Sequence, residues 1–437
     1  MAPEMSIPKL WFYTAVLCLS AAAREPNYDE SKVGNYTLPD PLTMQDGTPV
    51  RTAQDWNQKR RPELLALFAS QMFGRTPSGK VKARYEVLSP DAPALGGVAI
   101  RRQVRVHFSD RSDGPKMDIL LYIPASAPKP VPVFAGLNFN GNHTVHADLG
   151  IRLADEWVAG TEPKGVNREK RQHTRQSPAE STRGSDAEAW QVEKIVKRGY
   201  ALATVYYEDI NPDWVDGTAV GVRPLLYKPG QTTPAPDGWG AIGAWAWGLG
   251  RIADYLEMDK DIDAKRIALI GHSRLGKTAL WAGALDQRFA IVISNDSGEG
   301  GAALSKRIYG EEIVNLNTAF PHWYCDNYKQ YSDHADKLPF DAHELLALIA
   351  PRPVYVASAE EDRWADPRGE FLSAAAAGRV YELLGKQGLG TDQMPGLHQP
   401  IMHTVGYHVR AGKHAVTAYD WDQYLTFADL QFGKPSH

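Results

Sequence analysis

The chain has 437 residues, 43% of them apolar, enough to bury a large core as one big α/β domain or two smaller ones. Its net charge of −4 gives no bias toward nucleic acid or an anionic membrane surface, which sets aside partners held mainly by charge. Thirty prolines, twelve tryptophans and nineteen tyrosines suit a loop-rich enzyme with aromatic surfaces.

At the N-terminus, Lys9 precedes the apolar run LWFYTAVLCLSAAA, which ends in small residues. That is the layout of a secretory leader, and the run is shorter than the ~20 residues a membrane span requires. Residues 1–23 are therefore expected to be a signal peptide cleaved near Ala22 or Ala23, with Met5 as an alternative start. Residues 24–437 would then be a secreted or periplasmic protein without stable membrane association. Cys18 falls in the leader, so Cys325 is left alone and the fold must hold by its core without an internal disulfide. Cys325, in PHWYCDNY, has no flanking elbow glycines and reads as a packed thiol.

After the leader comes a turn-rich lead-in, REPNYDESKVGNYTLPDPL. RRPELLALFASQMFG then has helical spacing and a terminal glycine. ARYEVLSP, IRRQVRVHFSD and MDILLYIP alternate or run apolar like strands, and PVPVFAGLNFNGNH is a buried strand entering a polar loop. From Gly160 to Asp186 the chain turns polar and charged. It is too long there for an ordinary connection and reads as an insertion over one face. YALATVYYED is a strand, and WGAIGAWAWGLGRIADYLE has helical spacing. RIALIG is a strand, followed by the helix KTALWAGALD. FAIVISND and RPVYVASAEED are short apolar strands ending in acids, and WDQYLTFADLQF closes the chain as an amphipathic helix. No internal repeat is present. Strands alternating with helices imply an α/β fold with a mostly parallel sheet covered on both faces, its site at the C-terminal ends of the strands.

The stretch GHSRLGK, Gly271 to Lys277, sits between a strand and a helix, the context of a nucleophile elbow. Leu275 stands where the second glycine of G-x-S-x-G belongs, and the glycine comes one place later as Gly276. Gly271 lets strand and turn approach, and Gly276 lets the helix pack on a neighbouring strand. The turn would lift Ser273 out of the sheet and aim the first helical N–H groups at whatever it attacks. A serine hydroxyl needs a histidine to take its proton and a carboxylate to orient that histidine. Here serine, acids and histidine follow in the α/β-hydrolase order.

GHSRLGK resembles the G-x-S-R-x-G-K signature of the glucuronoyl esterases, secreted carbohydrate esterases that cleave esters between 4-O-methyl-glucuronic acid on xylan and lignin alcohols. RGYALATVYYEDINPD, SNDSGEGGAALSKR, EEDRWADP and GYHVRAGKHAVTAYDW resemble landmarks of the bacterial branch. The resemblance runs from about Pro124 to the C-terminus. It implies a single α/β-hydrolase domain over 24–437, with glucuronoxylan and lignin-carbohydrate esters as substrate; no cofactor is expected, and a monomer is expected. It also explains the two cations. Arg274 is implied to stabilise the oxyanion through backbone N–H and guanidinium, and Lys277 to bind sugar hydroxyls.

Of the late histidines, His414 follows a glycine-led turn shortly before the final helix and matches the family landmark. It is the expected base, with His408 as the alternative and His398 and His403 as loop residues. Two acids compete to orient it. Asp362 follows RPVYVASA, where α/β-hydrolases place their acid, and Asp296 follows FAIVISN, at the position of the fungal glutamate. Asp362 is favoured and Asp296 is expected in support; Glu360, Glu361 and Asp366 are neighbours that nothing favours. By the resemblance, Glu311 accepts a sugar hydroxyl and Trp364 lines the uronate pocket. Trp323 is a candidate aromatic wall, and NFNGNH is a candidate source of a second oxyanion N–H. No metal-binding spacing stands out. Other readings are an acetyl xylan or other carbohydrate esterase on this fold and, outside enzymes, a non-catalytic carbohydrate-binding protein.

Overall fold

The computed structural model describes residues 25–79, 81–159 and 173–435. The expected leader and residues 160–172 of the expected insertion lie outside the described residues. The strands are β1 Arg84–Ala94, β2 Ala99–His107, β3 Lys116–Pro124, β4 Val131–Asn138, β5 Glu156–Ala159, β6 His173–Gln176, β7 Ala201–Tyr206, β8 Ile262–His272, β9 Phe289–Asn295, β10 Val354–Ala359, β11 Ile401–Met402 and β12 Val405–Arg410.

Ten of them form one sheet in the order β1-β2-β3-β7-β4-β8-β9-β10-β12-β11, and β5 and β6 pair as a separate antiparallel ribbon. The six strands from β7 to β12 within that order run parallel. Antiparallel β1, β2 and β3 flank them on one side and β11 on the other. β4, β7 and β10 are buried at every position, which is why they read as unbroken apolar runs and not as alternating patterns.

Two core layers cover the sheet. One is built with Trp245, Leu249 and Ile252 of the helix Ala241–Met258 and with Leu280 and Trp281 of the helix Arg274–Leu285. The other is built with Ile195 and Val196 of Val192–Lys197 and with Trp421, Tyr424 and Phe427 of Ala418–Phe432. Among the described residues, no helix is long and apolar enough to cross a membrane. This is the α/β-hydrolase architecture in a single domain.

Two of the elements beyond the expected set bear on the site. β12 carries His408 and Arg410, which its pattern does not betray as buried, because Asp420 accepts from both. The helix Pro367–Leu383 starts on Asp366, whose side chain accepts from Gly369 N–H, and packs against β10 and β12. In the parallel register His272 pairs with Asn295, Asn295 with Ala357, and Ala359 with Arg410. The residues that follow β8, β9, β10 and β12 therefore emerge at one edge of the sheet: Ser273, Asp296, Asp362 and His414.

Candidate active site

Ser273 ends β8 and begins the helix Arg274–Leu285 with φ 56° and ψ −130°. A non-glycine residue there is strained, and the strain raises the hydroxyl above the strand ends. Its amide N–H donates to Asn295 O at 2.9 Å, which ties the turn to β9. The two glycines are sterically required. A Cβ on Gly271 would lie 1.9 Å from Leu275 O, and one on Gly276 would lie 2.9 Å from Ser297 Cβ. Leu275 therefore fits where the usual second glycine stands, because close packing falls one residue later. The N–H of Arg274, at the first helical position, has no carbonyl in its own helix to donate to.

His414 and Asp362 meet at the same edge, with Nδ1 2.5 Å from Asp362 Oδ2. Asp362 is 7% exposed, while the His414 side chain is 43% exposed. Asp296 is close by: one ligating atom from each of Asp296, Asp362 and His414 lies within 4.8 Å of the others. Yet both Asp296 oxygens lack a hydrogen bond, and Arg410 Nη2 is 3.5 Å from Oδ2. Burial, with the charges of Glu370 and Asp362 adding to it, pushes the Asp296 carboxyl well above the ordinary carboxylate range. Glu370 is raised to about 8, chiefly by burial, although it accepts from Ser297 N–H, Gly298 N–H and the Ser358 hydroxyl. His408 is fully buried between the Tyr355 hydroxyl and Asp420, away from the elbow.

The histidine beside the serine was not singled out in the sequence. His272 packs on His414 with ring centroids 4.4 Å apart. Asn295 gives its amide N–H to the Tyr424 hydroxyl, so its Oδ1 accepts from His272 Nδ1–H at 2.6 Å. Burial, then the neighbouring His414, lowers the His272 pKa to about 3, so it supports the base as a neutral ring.

Arg274 extends its guanidinium over an aromatic floor, 4.8 Å from the Trp323 ring centroid and 5.4 Å from that of Phe320. Those rings stack on each other at 3.8 Å. Arg274 is paired with Asp213, which also accepts from His322 Nε2 at 2.8 Å, Trp323 Nε1 at 2.7 Å and the Tyr207 hydroxyl at 2.9 Å. Burial alone would raise the Asp213 carboxyl, but the His322 hydrogen bond and the Arg274 charge outweigh it and hold the carboxyl far below its usual range. Asp213 was missed in the sequence, since nothing in INPD tells that its partners come from residues 274 and 322. Trp323 is 3% exposed and stands under the arginine, its indole N–H already committed.

Lys277 is 4% exposed, unlike a surface helix lysine, and donates to Ser297 O at 2.7 Å and Glu299 O at 2.6 Å. Glu311 Oε2 is 3.4 Å away. Glu311 N–H donates to Trp364 O at 2.9 Å, which brings two expected substrate residues side by side, and Trp364 is 39% exposed. Phe139, in the loop after β4, faces Arg274 at 5.8 Å and His272 at 6.2 Å. Cys325 is buried, its thiol pushed up to about 11 by burial, as a packed thiol would be.

A strained serine, a histidine held by a carboxylate and a helix N-terminus at one sheet edge can perform acyl transfer. The comparisons agree in kind. A family model described as fungal glucuronyl esterase matches residues 233–385. A carbohydrate esterase from an unknown prokaryotic organism is 50% identical over 412 residues, covering 94% of this chain and 93% of its own. The solved glucuronoyl esterase from Solibacter usitatus superposes with a TM-score of 0.87 at 55% identity, over 92% of this chain and all of that one. A solved promiscuous esterase of carbohydrate esterase family 15, from a marine bacterial metagenome, gives 0.84 at 50% identity over 93% and 99%.

Proposed function

The chain belongs to the glucuronoyl esterases of carbohydrate esterase family 15, serine-type carboxylic ester hydrolases, and we propose that it cleaves 4-O-methyl-glucuronoyl esters between xylan and lignin alcohols through Ser273, His414 and Asp362. The observation that carries this is the 2.5 Å contact of His414 with Asp362 at the sheet edge where Ser273 emerges. Asp362 fixes His414 with the proton on Nδ1, leaving Nε2 free to take the Ser273 proton. Ser273 Oγ then attacks the uronate carbonyl, and the Arg274 N–H and guanidinium meet the developing oxyanion. His414 returns the proton to the departing alcohol. Water, deprotonated by the same histidine, releases glucuronate and frees the serine.

Lys277, Glu311 and Trp364 give the sugar its place. Lys277 has three donors and spends two on main-chain carbonyls, so it shares the third between Glu311 and a sugar hydroxyl. Glu311 is the acceptor for the sugar, and Trp364 offers an exposed indole beside it. Asp296 stands beside Asp362 and His414 as a buried supporting acid. The leader-like start, Lys9 with its short apolar run, supports action outside the cytoplasm, and the protein works as a monomer. The test is turnover of benzyl glucuronate against an acetylated sugar. Preference for the glucuronate ester is expected, whereas hydrolysis of the acetate alone would assign the site to an acetyl esterase.

A further inference from the structure

Residues 25–40 contribute no buried residue to the protein. A segment near a chain terminus with so little apolar burial frays unless something ties it down. Here the ties are polar, and they fall on the two turns that carry Glu311 and Trp364.

Asn27 holds the first turn. Its Nδ2 donates to Ile308 O at 2.9 Å, and its main-chain O accepts from Gly310 N–H at 2.8 Å. Glu311 is the next residue. Gly310 has φ 66°, and a Cβ on it would lie 2.5 Å from Trp364 O, so this turn is pressed directly on the Trp364 segment. The Glu311 N–H crosses to Trp364 O at the same place, at 2.9 Å.

The second turn is held from the same strap through Arg363, the residue before Trp364. Arg363 Nη2 donates to Tyr28 O, and its guanidinium lies over the Tyr28 ring at 4.8 Å. Its Nε donates to the Tyr309 hydroxyl at 3.1 Å, and Tyr309 meets Tyr28 edge-on with ring centroids 6.1 Å apart. Glu30 accepts from Arg307, which is buried and also donates to Asp366 Oδ2 at 2.9 Å, and from Arg368 Nη1 at 3.3 Å. Trp364 itself is 39% exposed, so core packing does not fix its indole.

Resting on the reading of Glu311 and Trp364 as sugar-binding residues, we propose that Asn27 and Tyr28 are positioning residues for the glucuronate. The strap sets the spacing of Glu311 and Trp364, and with it the affinity for the sugar, without touching the ester.

The experiment compares the wild-type protein with Asn27→Ala/Tyr28→Ala and with Tyr28→Phe. It measures kcat and KM for methyl glucuronate, the dissociation constant of free glucuronate, and kcat/KM for 4-nitrophenyl acetate. The double variant is expected to raise KM and the dissociation constant about tenfold while kcat stays within about twofold, the pattern of lost ground-state binding. Acetate turnover is expected to stay within about twofold, because the chemistry at Ser273 does not use the strap. Tyr28→Phe keeps the ring under Arg363 and the main-chain acceptor, and should match the wild type. If the double variant does not fold, Tyr28→Ala alone takes its place, with a rise of about threefold expected. In a folded variant, equal losses on both esters, or no change on either, overturn the positioning role alone. A wild-type protein that turns over the acetate but has no affinity for glucuronate overturns the sugar reading of Glu311 and Trp364, and this inference with it.

Discussion

Asp362 Oδ2 lies 2.5 Å from His414 Nδ1, while the Asp296 side chain, directly after the end of its own strand, makes no hydrogen bond. Asp296 takes φ 44° and is buried under the influence of the Glu370 charge, and Asp362 stands at the start of the turn that carries Trp364. Asp362→Asn is expected to lower kcat by roughly 10³–10⁴, as an amide does when it presents the wrong hydrogen-bonding partner to a catalytic histidine. Asp296→Asn is expected to cost far less, because a buried carboxyl that keeps its proton resembles an amide. Steady-state kinetics on a glucuronate ester decide it. A crippled Asp296→Asn beside a nearly normal Asp362→Asn would reverse the assignment.

Glu311 separates sugar binding from chemistry. In Glu311→Gln, Lys277 stays anchored by Ser297 O and Glu299 O, so the fold around it should persist. Losing one charge-assisted hydrogen bond costs about 1.5–3 kcal/mol, or about 10- to 100-fold in kcat/KM. That loss is expected on glucuronate esters and not on simple acetate esters. Equal losses on both would mean that Glu311 only holds the loop.

Arg274 should act mainly in the transition state. Arg274→Lys keeps the charge but gives up the guanidinium that lies over Trp323 and donates to Asp213. A fall of about 10- to 100-fold is expected in kcat and kcat/KM together, the pattern of an interaction made only as the oxyanion forms. A rise in KM with kcat unchanged would instead assign the guanidinium to ground-state binding.

Glu370 makes stability fall with rising pH. Its pKa is raised from 4.5 to about 8 in the folded protein, so the folded state holds a proton that the unfolded chain has lost. The stabilisation is complete below about pH 4.5 and is lost as pH rises through about 8. Glu370→Gln removes this dependence. Denaturant unfolding at pH 5 and pH 8 should show the wild type losing stability relative to the variant by a few kcal/mol. A difference that is the same at both pH values would contradict it.

The parallel sheet, the elbow and the order of serine, acid and histidine were legible because each is a local pattern. Apolar runs ending in Gly271-His272-Ser273, in Asp296 and in Asp362 mark strand ends, and strand ends are where a parallel sheet exposes side chains. Asp213 was not legible, since its role depends on residues brought from 61 and 109 positions away. β12 was hidden by His408 and Arg410, whose burial makes sense only with Asp420 in place. The resemblance implies a sugar-binding role for Lys277, but its anchoring by the carbonyls of Ser297 and Glu299 depends on a loop the sequence does not place beside it. The strand ends were readable; the polar partners that fold back onto them were not.

The central claim is that Ser273 is the nucleophile of a glucuronoyl ester hydrolase. The most direct measurement is kcat for methyl 4-O-methyl-glucuronate with the wild type and Ser273→Ala, alongside the affinity of the variant for free glucuronate. The account predicts a loss on the order of 10³-fold or more in kcat, with glucuronate still bound, because Lys277, Glu311 and Trp364 remain in place. Hydrolysis within tenfold of wild type would contradict it and remove Ser273 from the chemistry.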